Sequence, residues 1–215
     1  ETAMNGSWLE SFRLGVRAGL ALLRDPSDTE QVFLLGAAVN APRVPQLLTR
    51  MLTTGDGLEL MQRDATIDSS SVDYDALRRL PPTTLGGAYA RFLDDNNLDP
   101  DLFQAPPGLP QAVAFVAKRM RQTHDLWHVL TGYGTDVAGE IELQAFTYGQ
   151  AGMPLSRLIA VFGTLRHGAS NPRLFRDVFR AYRRGTKAAF LPSVSWEAMW
   201  EMPLAEVRAA VAIAT

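Results

Sequence analysis

Residues 111–130 read QAVAFVAKRMRQTHDLWHVL, a stretch without glycine or proline that directly follows Pro110. Strong helix formers are frequent in it, and proline suits the first turn of a helix, so we predict one helix over 111–130. Its apolar residues recur at helical spacing: Val113, Val116, Met120, Trp127 and Leu130. This apolar face leaves the histidines of the stretch on a neighbouring face.

The motif HDLWH, residues 124–128, contains two of the chain's three histidines. A helix places residues i and i+4 on one face, one turn apart. The chain then turns at 131–135 (TGYGT), and Asp136 can cap a second helix with Glu140 in its first turns. An antiparallel pair of helices would bring Glu140 back towards His128. Two imidazoles and a carboxylate are the ligands of a metal site that keeps an open coordination position.

Other interpretations of these residues stay open at this point. A histidine pair with this spacing also occurs on solvated helix faces, or each ring can satisfy a hydrogen bond in the core. Asp125 is one methylene shorter than the Glu general base of HExxH metalloproteases, so it would reach the metal or orient a ligand. His167 precedes Gly168 at the expected end of another helix, where a cation is favourable without a metal. His167 is therefore not expected to be a ligand.

Length and composition limit the classes of protein that fit this chain. Its 215 residues, 47% of them hydrophobic, suit one globular domain, and we expect a single domain over 1–215. The net charge of −2 gives no footprint for nucleic acid. Cysteine is absent, which excludes disulfides, Cys-ligated zinc and thiol catalysis. The longest apolar runs, such as 32–39, are far too short to cross a bilayer.

Helix follows helix along the chain, and no segment alternates with the period of two that a strand would show. Residues 58–73 are the least helical part, and 66–71 (TIDSSS) is expected to be a loop. The sequence therefore predicts an all-α fold, a single-domain multi-helix bundle with the metal site on a helix-turn-helix pair. Further helices are expected at 43–52, 85–94, 154–167, 172–187 and 203–214.

An N-terminal helix is expected after a capping box formed by Ser7 and Glu10. Its apolar stripe consists of Leu9, Phe12, Val16, Leu20 and Leu23. Core packing is one explanation of that stripe. The other is an interfacial helix that lies on a membrane, with Arg13, Arg17 and Arg24 facing anionic lipid.

The HDLWH motif, followed after eleven residues by Glu140, resembles the signature of the coenzyme Q biosynthesis protein 4 family. The surroundings of the motif are similar to the family as well, and the resemblance extends from about residue 23 to 206. The similar segments are MRQT at 120–123, LTG at 130–132, LPPTTLG at 80–86 with Tyr89, and AYRRG at 181–185 with Trp196 and Glu197. The ordered set of segments makes the resemblance specific, which HDxxH alone would not be.

The resemblance implies an all-helical fold with a zinc site formed by His124, Asp125, His128 and Glu140; iron is the alternative metal. It implies a metal-dependent lyase that removes the C1 carboxyl group of a polyprenylated hydroxybenzoate during ubiquinone biosynthesis. Asp125 and Glu140 are the expected catalytic residues. A proton must reach the ring carbon that loses the carboxyl group, and Asp125, Glu142 and Tyr133 are candidate donors. An apolar groove between helices would hold the prenyl tail.

The resemblance also implies where such a protein works. It suggests peripheral association with the inner membrane, on its cytoplasmic side or, in a eukaryote, on its matrix side. Expected partners are the polyprenylated aromatic acid and other ubiquinone biosynthesis proteins, and a homodimer is compatible with this picture. Two other functions remain open: a non-catalytic lipid-binding scaffold that organises the biosynthetic complex, and an oxidative decarboxylase with iron in a two-His-one-carboxylate triad.

Overall fold

The computed structural model describes residues 39–102 and 109–213, and these residues form helices and loops without a β-strand. The predicted all-α class is confirmed. The helices are α1 (Val44–Thr53), α2 (Gly57–Gln62), α3 (Tyr74–Arg79), α4 (Leu85–Asp95), α5 (Gln111–Gln122), α6 (His124–Thr131), α7 (Val137–Ala151), α8 (Pro154–His167), α9 (Leu174–Lys187) and α10 (Leu204–Ala210), with 3-10 turns at Ala41–Arg43, Leu191–Ser193 and Trp196–Ala198. The predicted N-terminal helix with its apolar stripe lies outside the described residues.

The central feature of the bundle is the close packing of α9 on α7, and it depends on two glycines. A Cβ atom on Gly149 of α7 would lie 2.5 Å from the carbonyl oxygen of Tyr182 in α9. A Cβ atom on Gly185 of α9 would lie 2.2 Å from the carbonyl oxygen of Phe146 in α7. Only glycine permits such an approach of two backbones. The glycine of the AYRRG segment therefore serves helix packing.

The hydrophobic core has two parts. The larger part surrounds α4, α6, α7 and α9 and includes the fully buried Trp127 and Trp196. The smaller part lies between α1, α2 and α5, around Met51, Leu60 and Phe115. Burial of these large side chains is the main stabilising contribution to the fold. Among the residues that the structure describes, no helix is both long enough and apolar enough to span a lipid bilayer.

The helix predicted over 111–130 is in fact two helices, α5 and α6, which meet at Thr123. The Thr123 hydroxyl donates a hydrogen bond to the carbonyl oxygen of Arg119 at 2.8 Å. Such back-bonding by threonine to residue i−4 bends helices. Both histidines of the motif consequently lie on a short helix of their own.

Two other boundaries differ from the prediction. Residues 58–62 are helical and belong to α2, which is held by the burial of Leu60 in the smaller core. Residues 66–71 form the expected loop. The helix predicted at 203–214 is shorter, since α10 ends at Ala210 and Ala212 has a φ of 55°. In both places tertiary packing or a local turn overrides the sequence pattern.

A buried ion pair joins α5 to the segment after α9. The Arg119 side chain is fully buried and donates to Glu197 at 2.5 and 3.0 Å and to the carbonyl oxygen of Val194 at 2.7 Å. These three charge-assisted hydrogen bonds offset much of the loss of water around the guanidinium, whose Nε is buried without a hydrogen-bond partner. The pair ties together two parts of the chain that are 78 residues apart.

We expect Arg119→Ala to destabilise the fold by about 3 kcal/mol, because it leaves Glu197 and a buried carbonyl oxygen without their partner. Urea denaturation monitored by circular dichroism measures this change. The matched control is Lys118→Ala, which removes the partly exposed pair with Asp64 (3.4 Å) and should cost less than about 1 kcal/mol. Equal effects of the two substitutions would contradict the structural role given to Arg119.

Candidate metal centre

The side chains of His124, His128 and Glu140 meet at the junction of α6 and α7. Their potential ligand atoms all lie within 4.8 Å of one another. Glu140 Oε1 is 3.2 Å from His128 Nε2, and Glu140 Oε2 is 3.8 Å from His124 Nε2. Asp136 caps α7 by accepting a hydrogen bond from the backbone N–H of Gly139, as predicted, and so fixes the turn before Glu140. The predicted return of Glu140 towards His128 across the turn is thus confirmed.

His128 is held more firmly than His124. Its Nδ1 lies 3.0 Å from the carbonyl oxygen of Tyr133, which can only accept, so Nδ1 carries the hydrogen and donates it. Its ring stacks on Phe92 with centroids 5.4 Å apart. The Nε2 lone pair of neutral His128 is therefore directed at Glu140. A backbone carbonyl that fixes the tautomer is the usual support of a metal-bound histidine.

The charges of the three groups are strongly coupled. Burial would raise the pKa of Glu140, but hydrogen bonds and charges from His124 and His128 lower it to about 2. Burial would lower the pKa of His128, but the hydrogen bond and charge of Glu140 outweigh it, and the pKa is raised above 6.5. A proton on the imidazole and a cation between the three groups satisfy the same carboxylate, so they exclude each other.

The donor set fits a divalent transition metal. Two imidazoles and one carboxylate are common ligands of catalytic zinc and of non-haem iron, which leave positions for water or substrate. The His128 side chain is almost completely buried, whereas 42% of the Glu140 side chain is exposed. The three ligands are thus enclosed by protein on the side of His128 and accessible to solvent on the side of Glu140.

Asp125, predicted as a fourth ligand and as a catalytic residue, is not in the group of converging ligand atoms. It lies in the first turn of α6 and is partly buried. Burial raises the pKa of Tyr89 well above its usual range, and the charge of Asp125 adds to this effect. The same carboxylate contributes to the raised pKa of His128. Asp125 is therefore near both groups, and its role as a ligand remains a prediction.

Glu142 and Tyr133, the other candidate proton donors, are directed elsewhere. Glu142 is two residues beyond Glu140, about 200° around the helix. Burial raises its pKa, and the charged groups that act on it are Asp177, Asp136 and Arg184. The Tyr133 ring lies under the Arg184 guanidinium, 5.1 Å away, so only its backbone carbonyl touches the triad.

His167 has the position expected from the sequence. His167 lies in the last turn of α8, and it is not part of the converging group. Arg121 lies in the last turn of α5, one helix before the motif.

The sequence did not reveal what holds the C-terminal end of α6. The last four carbonyl groups of a helix have no partner within it. Here the backbone N–H of Gly132 donates to the oxygen of His128, and Arg208 donates to those of Val129 and Leu130 at 2.9 Å. Arg184 donates to the last carbonyl, that of Thr131, at 3.1 and 3.2 Å. All four carbonyl groups are satisfied.

This capping matters because α6 has only eight residues, and a helix of that length is unstable by itself in water. The two arginines come from α9 and α10, far along the chain, and place positive charge at the negative end of the helix. They position the helix that presents both histidines. Gly132, with a φ of 77°, was the only part of this cap with a signal in the sequence.

Fold and site together define an all-helical protein with a candidate two-histidine, one-carboxylate metal centre. The family model described as coenzyme Q (ubiquinone) biosynthesis protein Coq4 matches residues 1–215. The chain belongs to this family, as its motif predicted.

Curated relatives from animals agree with this assignment. The chain is 32% identical over 209 residues to the mitochondrial ubiquinone biosynthesis protein COQ4 homolog of Xenopus laevis, covering 95% of this chain and 73% of that one. It is 33% identical over 195 residues to the protein of the same name from Bos taurus, covering 89% and 73%. A Nostoc punctiforme protein, described as a candidate for ubiquinone biosynthesis, has a crystal structure with the same fold: the TM-score is 0.76 at 24% identity, over 94% of this chain and 98% of that one.

We expect purified protein to bind about one divalent ion per chain, zinc or iron. Because protonation of His128 competes with the metal, affinity should fall about tenfold per pH unit below the raised pKa of His128 and level off above it. Metal analysis and titration against a chelator at several pH values measure this. His128→Ala should lose the ion while the chain stays helical by circular dichroism; full metal occupancy in this variant would refute the site.

Arg208→Met should weaken metal binding by about tenfold, since loss of supporting hydrogen bonds around a ligand typically has effects of this size. The control is Arg183→Met, an exposed arginine in the next-to-last turn of α9. Chelator competition would show a weaker site in the first variant alone. Unchanged affinity of Arg208→Met, with normal folding, would mean that the cap does not position the histidines.

Proposed function

We propose that the protein is a metal-dependent decarboxylase that removes the C1 carboxyl group of a polyprenylated hydroxybenzoate in ubiquinone biosynthesis. The observation that carries this proposal is the incomplete, accessible triad of His124, His128 and Glu140. A metal that only joins helices is usually enclosed by four protein ligands, whereas a catalytic metal has three and one open position. The described residues bring three ligand atoms together and leave the Glu140 side open.

The triad and Asp125 would divide the chemistry between them. A divalent ion held by the triad supplies Lewis acidity towards a carboxylate or phenolic oxygen. Loss of carbon dioxide breaks the bond between C1 and the carboxyl carbon and leaves its electron pair on the ring, so C1 needs a proton. We assign the delivery of this proton from solvent to Asp125, because its carboxylate is the one among the candidate donors that acts on His128.

An apolar cavity supports a lipid-like substrate. A cavity of about 450 Å³ lies between α7, α8 and α9, and its walls are almost entirely apolar. Its lining includes Ala145 of α7, Ala160 of α8 and Val178 of α9. Helix α7 also carries Glu140. We propose that this cavity accepts the prenyl tail, the feature expected between helices for such a substrate.

A second candidate function, oxidative decarboxylation, is favoured by the ligand set itself. Two histidines and one carboxylate are the set of many non-haem iron enzymes that use dioxygen. With dioxygen as the two-electron oxidant and water as the source of the oxygen atom, C1 would gain a hydroxyl group in place of the carboxyl group, and carbon dioxide and hydrogen peroxide would leave. The two reactions therefore differ in product mass, and one experiment separates them.

The cellular setting is part of the same proposal. The animal relatives carry names that place them in mitochondria and in ubiquinone biosynthesis. We propose that this chain acts on its lipid substrate at the surface of a membrane, together with other ubiquinone biosynthesis proteins. A scaffold without catalysis is the competing function.

Glu140→Gln provides the sharpest test, because it keeps the side-chain size and removes the charge. The purified protein would receive a prenylated 4-hydroxybenzoate labelled at the carboxyl carbon, under argon or air, with zinc or iron. We expect labelled carbon dioxide from the wild type and at least a hundredfold slower release from Glu140→Gln. The mass of the ring product shows whether C1 carries hydrogen or hydroxyl.

Glu142→Gln is the matched control, because the same change is made on the opposite side of α7. It should retain turnover. If neither the wild type nor Glu140→Gln releases carbon dioxide with zinc or iron, under argon or air, the result would favour the function as a non-catalytic scaffold. Normal ubiquinone levels in a deletion strain that expresses Glu140→Gln would exclude a catalytic role of the triad.

A further inference from the structure

One segment of this chain has a large excess of positive over negative charge. Residues 154–187, which span α8 and α9, contain eight Lys or Arg residues and one acidic residue, Asp177, for a net charge of +7. The whole chain has a net charge of −2, so the remainder carries −9. We call residues 154–187 the basic segment. Such an asymmetry within an acidic protein indicates an anionic partner.

The basic segment also presents large apolar side chains to solvent. The exposed fraction is 63% for Leu165, 60% for Phe179, 52% for Phe175 and 50% for Phe162. Val161 and Tyr182 are exposed as well, with 48% and 37%. These six residues are more than half of the eleven exposed large hydrophobic residues of the described chain. Contiguous exposed apolar surface usually marks a binding site.

Apolar and basic residues alternate here in a regular way. Phe175, Phe179 and Tyr182 form one stripe on α9, and each is followed directly by an arginine, at 176, 180 and 183. The same order occurs on α8 at Leu165 and Arg166. Consecutive residues of a helix are 100° apart, so the arginines flank the apolar stripe. This is the arrangement of helices that lie in the surface of an anionic membrane.

Little in the basic segment neutralises these arginines. Asp177, its one acidic residue, is 3.0 Å from Arg176 and 3.7 Å from Arg180. The apolar cavity between α7, α8 and α9 is lined by several of the exposed residues, among them Leu165 and Phe179. The cavity and the basic surface therefore belong to the same side of the molecule.

We propose that the basic segment docks on an anionic lipid bilayer, with its apolar stripe in the headgroup region and its arginines on the phosphates. This rests on the proposed function, since it gives a prenyl tail a path from the bilayer to the cavity. A second copy of the chain is a poorer occupant, because a symmetric contact would place two basic surfaces against each other. A bilayer also accepts scattered charges and apolar groups without matched geometry.

The test is sedimentation of the full chain with two kinds of vesicle, phosphatidylcholine alone and phosphatidylcholine mixed with phosphatidylglycerol. We expect salt-sensitive binding to the anionic vesicles only. Arg180→Glu with Arg183→Glu should weaken it at least tenfold, and Phe162→Asp should weaken it several-fold at low salt. The matched control, Arg63→Glu with Arg79→Glu, makes the same change of charge at exposed sites outside the segment and should bind as the wild type does.

Three results would overturn the proposal. The first is unchanged vesicle binding by the basic-segment variants, checked as folded by circular dichroism. The second is loss of binding in Arg13→Glu with Arg17→Glu alone, which would assign it to the N-terminal segment. The third is an oligomer that the basic-segment variants dissociate without any change in vesicle binding. Metal content and carbon dioxide release from a short-prenyl substrate in detergent should be normal in Arg180→Glu with Arg183→Glu, so failure of catalysis and failure of docking are distinguishable.

Discussion

The candidate site depends on the hydrogen bonds at the C-terminal end of α6. Four carbonyl groups there are satisfied by one glycine N–H and two arginine side chains, and the same short helix presents His124 and His128. Without this cap, the helix would lose its most distant supports, which come from α9 and α10. The imidazoles are thus placed by residues that neither touch them nor stand near them in the sequence. Helices α9 and α10 thus support the eight residues of α6 that present both histidines.

The triad itself has two mutually exclusive ways of satisfying its charge. In one, Glu140 pairs with an imidazolium; in the other, the three groups share a divalent cation. The low pKa of Glu140, about 2, keeps the carboxylate ionised in both cases. The two arrangements differ in the protonation of His128, whose Nε2 is available because the carbonyl oxygen of Tyr133 fixes the hydrogen on Nδ1. The geometry and charge of the three groups therefore suit a divalent cation.

What could be predicted from the sequence was local or carried by a motif. The spacing of two histidines, a glycine turn and an Asp cap were sufficient to bring Glu140 to His128, because each follows from helix geometry. The break at Thr123 was missed, since back-bonding by one hydroxyl leaves the helical pattern of 111–130 unchanged. Helices α2 and α3 were missed because six residues each are too few to show periodicity. Arg208 and Arg184 were missed for a different reason: their partners are backbone carbonyls about 50 to 80 residues away, and no local pattern records such a contact.

The backbone contact of α7 and α9 has a consequence for the size of molecule that the cavity admits. Both helices line the cavity, and Tyr182, whose carbonyl faces Gly149, is one of its walls. A methyl group at Gly149 would need about 1 Å more room to reach ordinary carbon–oxygen contact. The two helices would have to separate, and the cavity between them would widen. The absence of side chains at Gly149 and Gly185 therefore keeps the two helices close together and limits the width of the cavity.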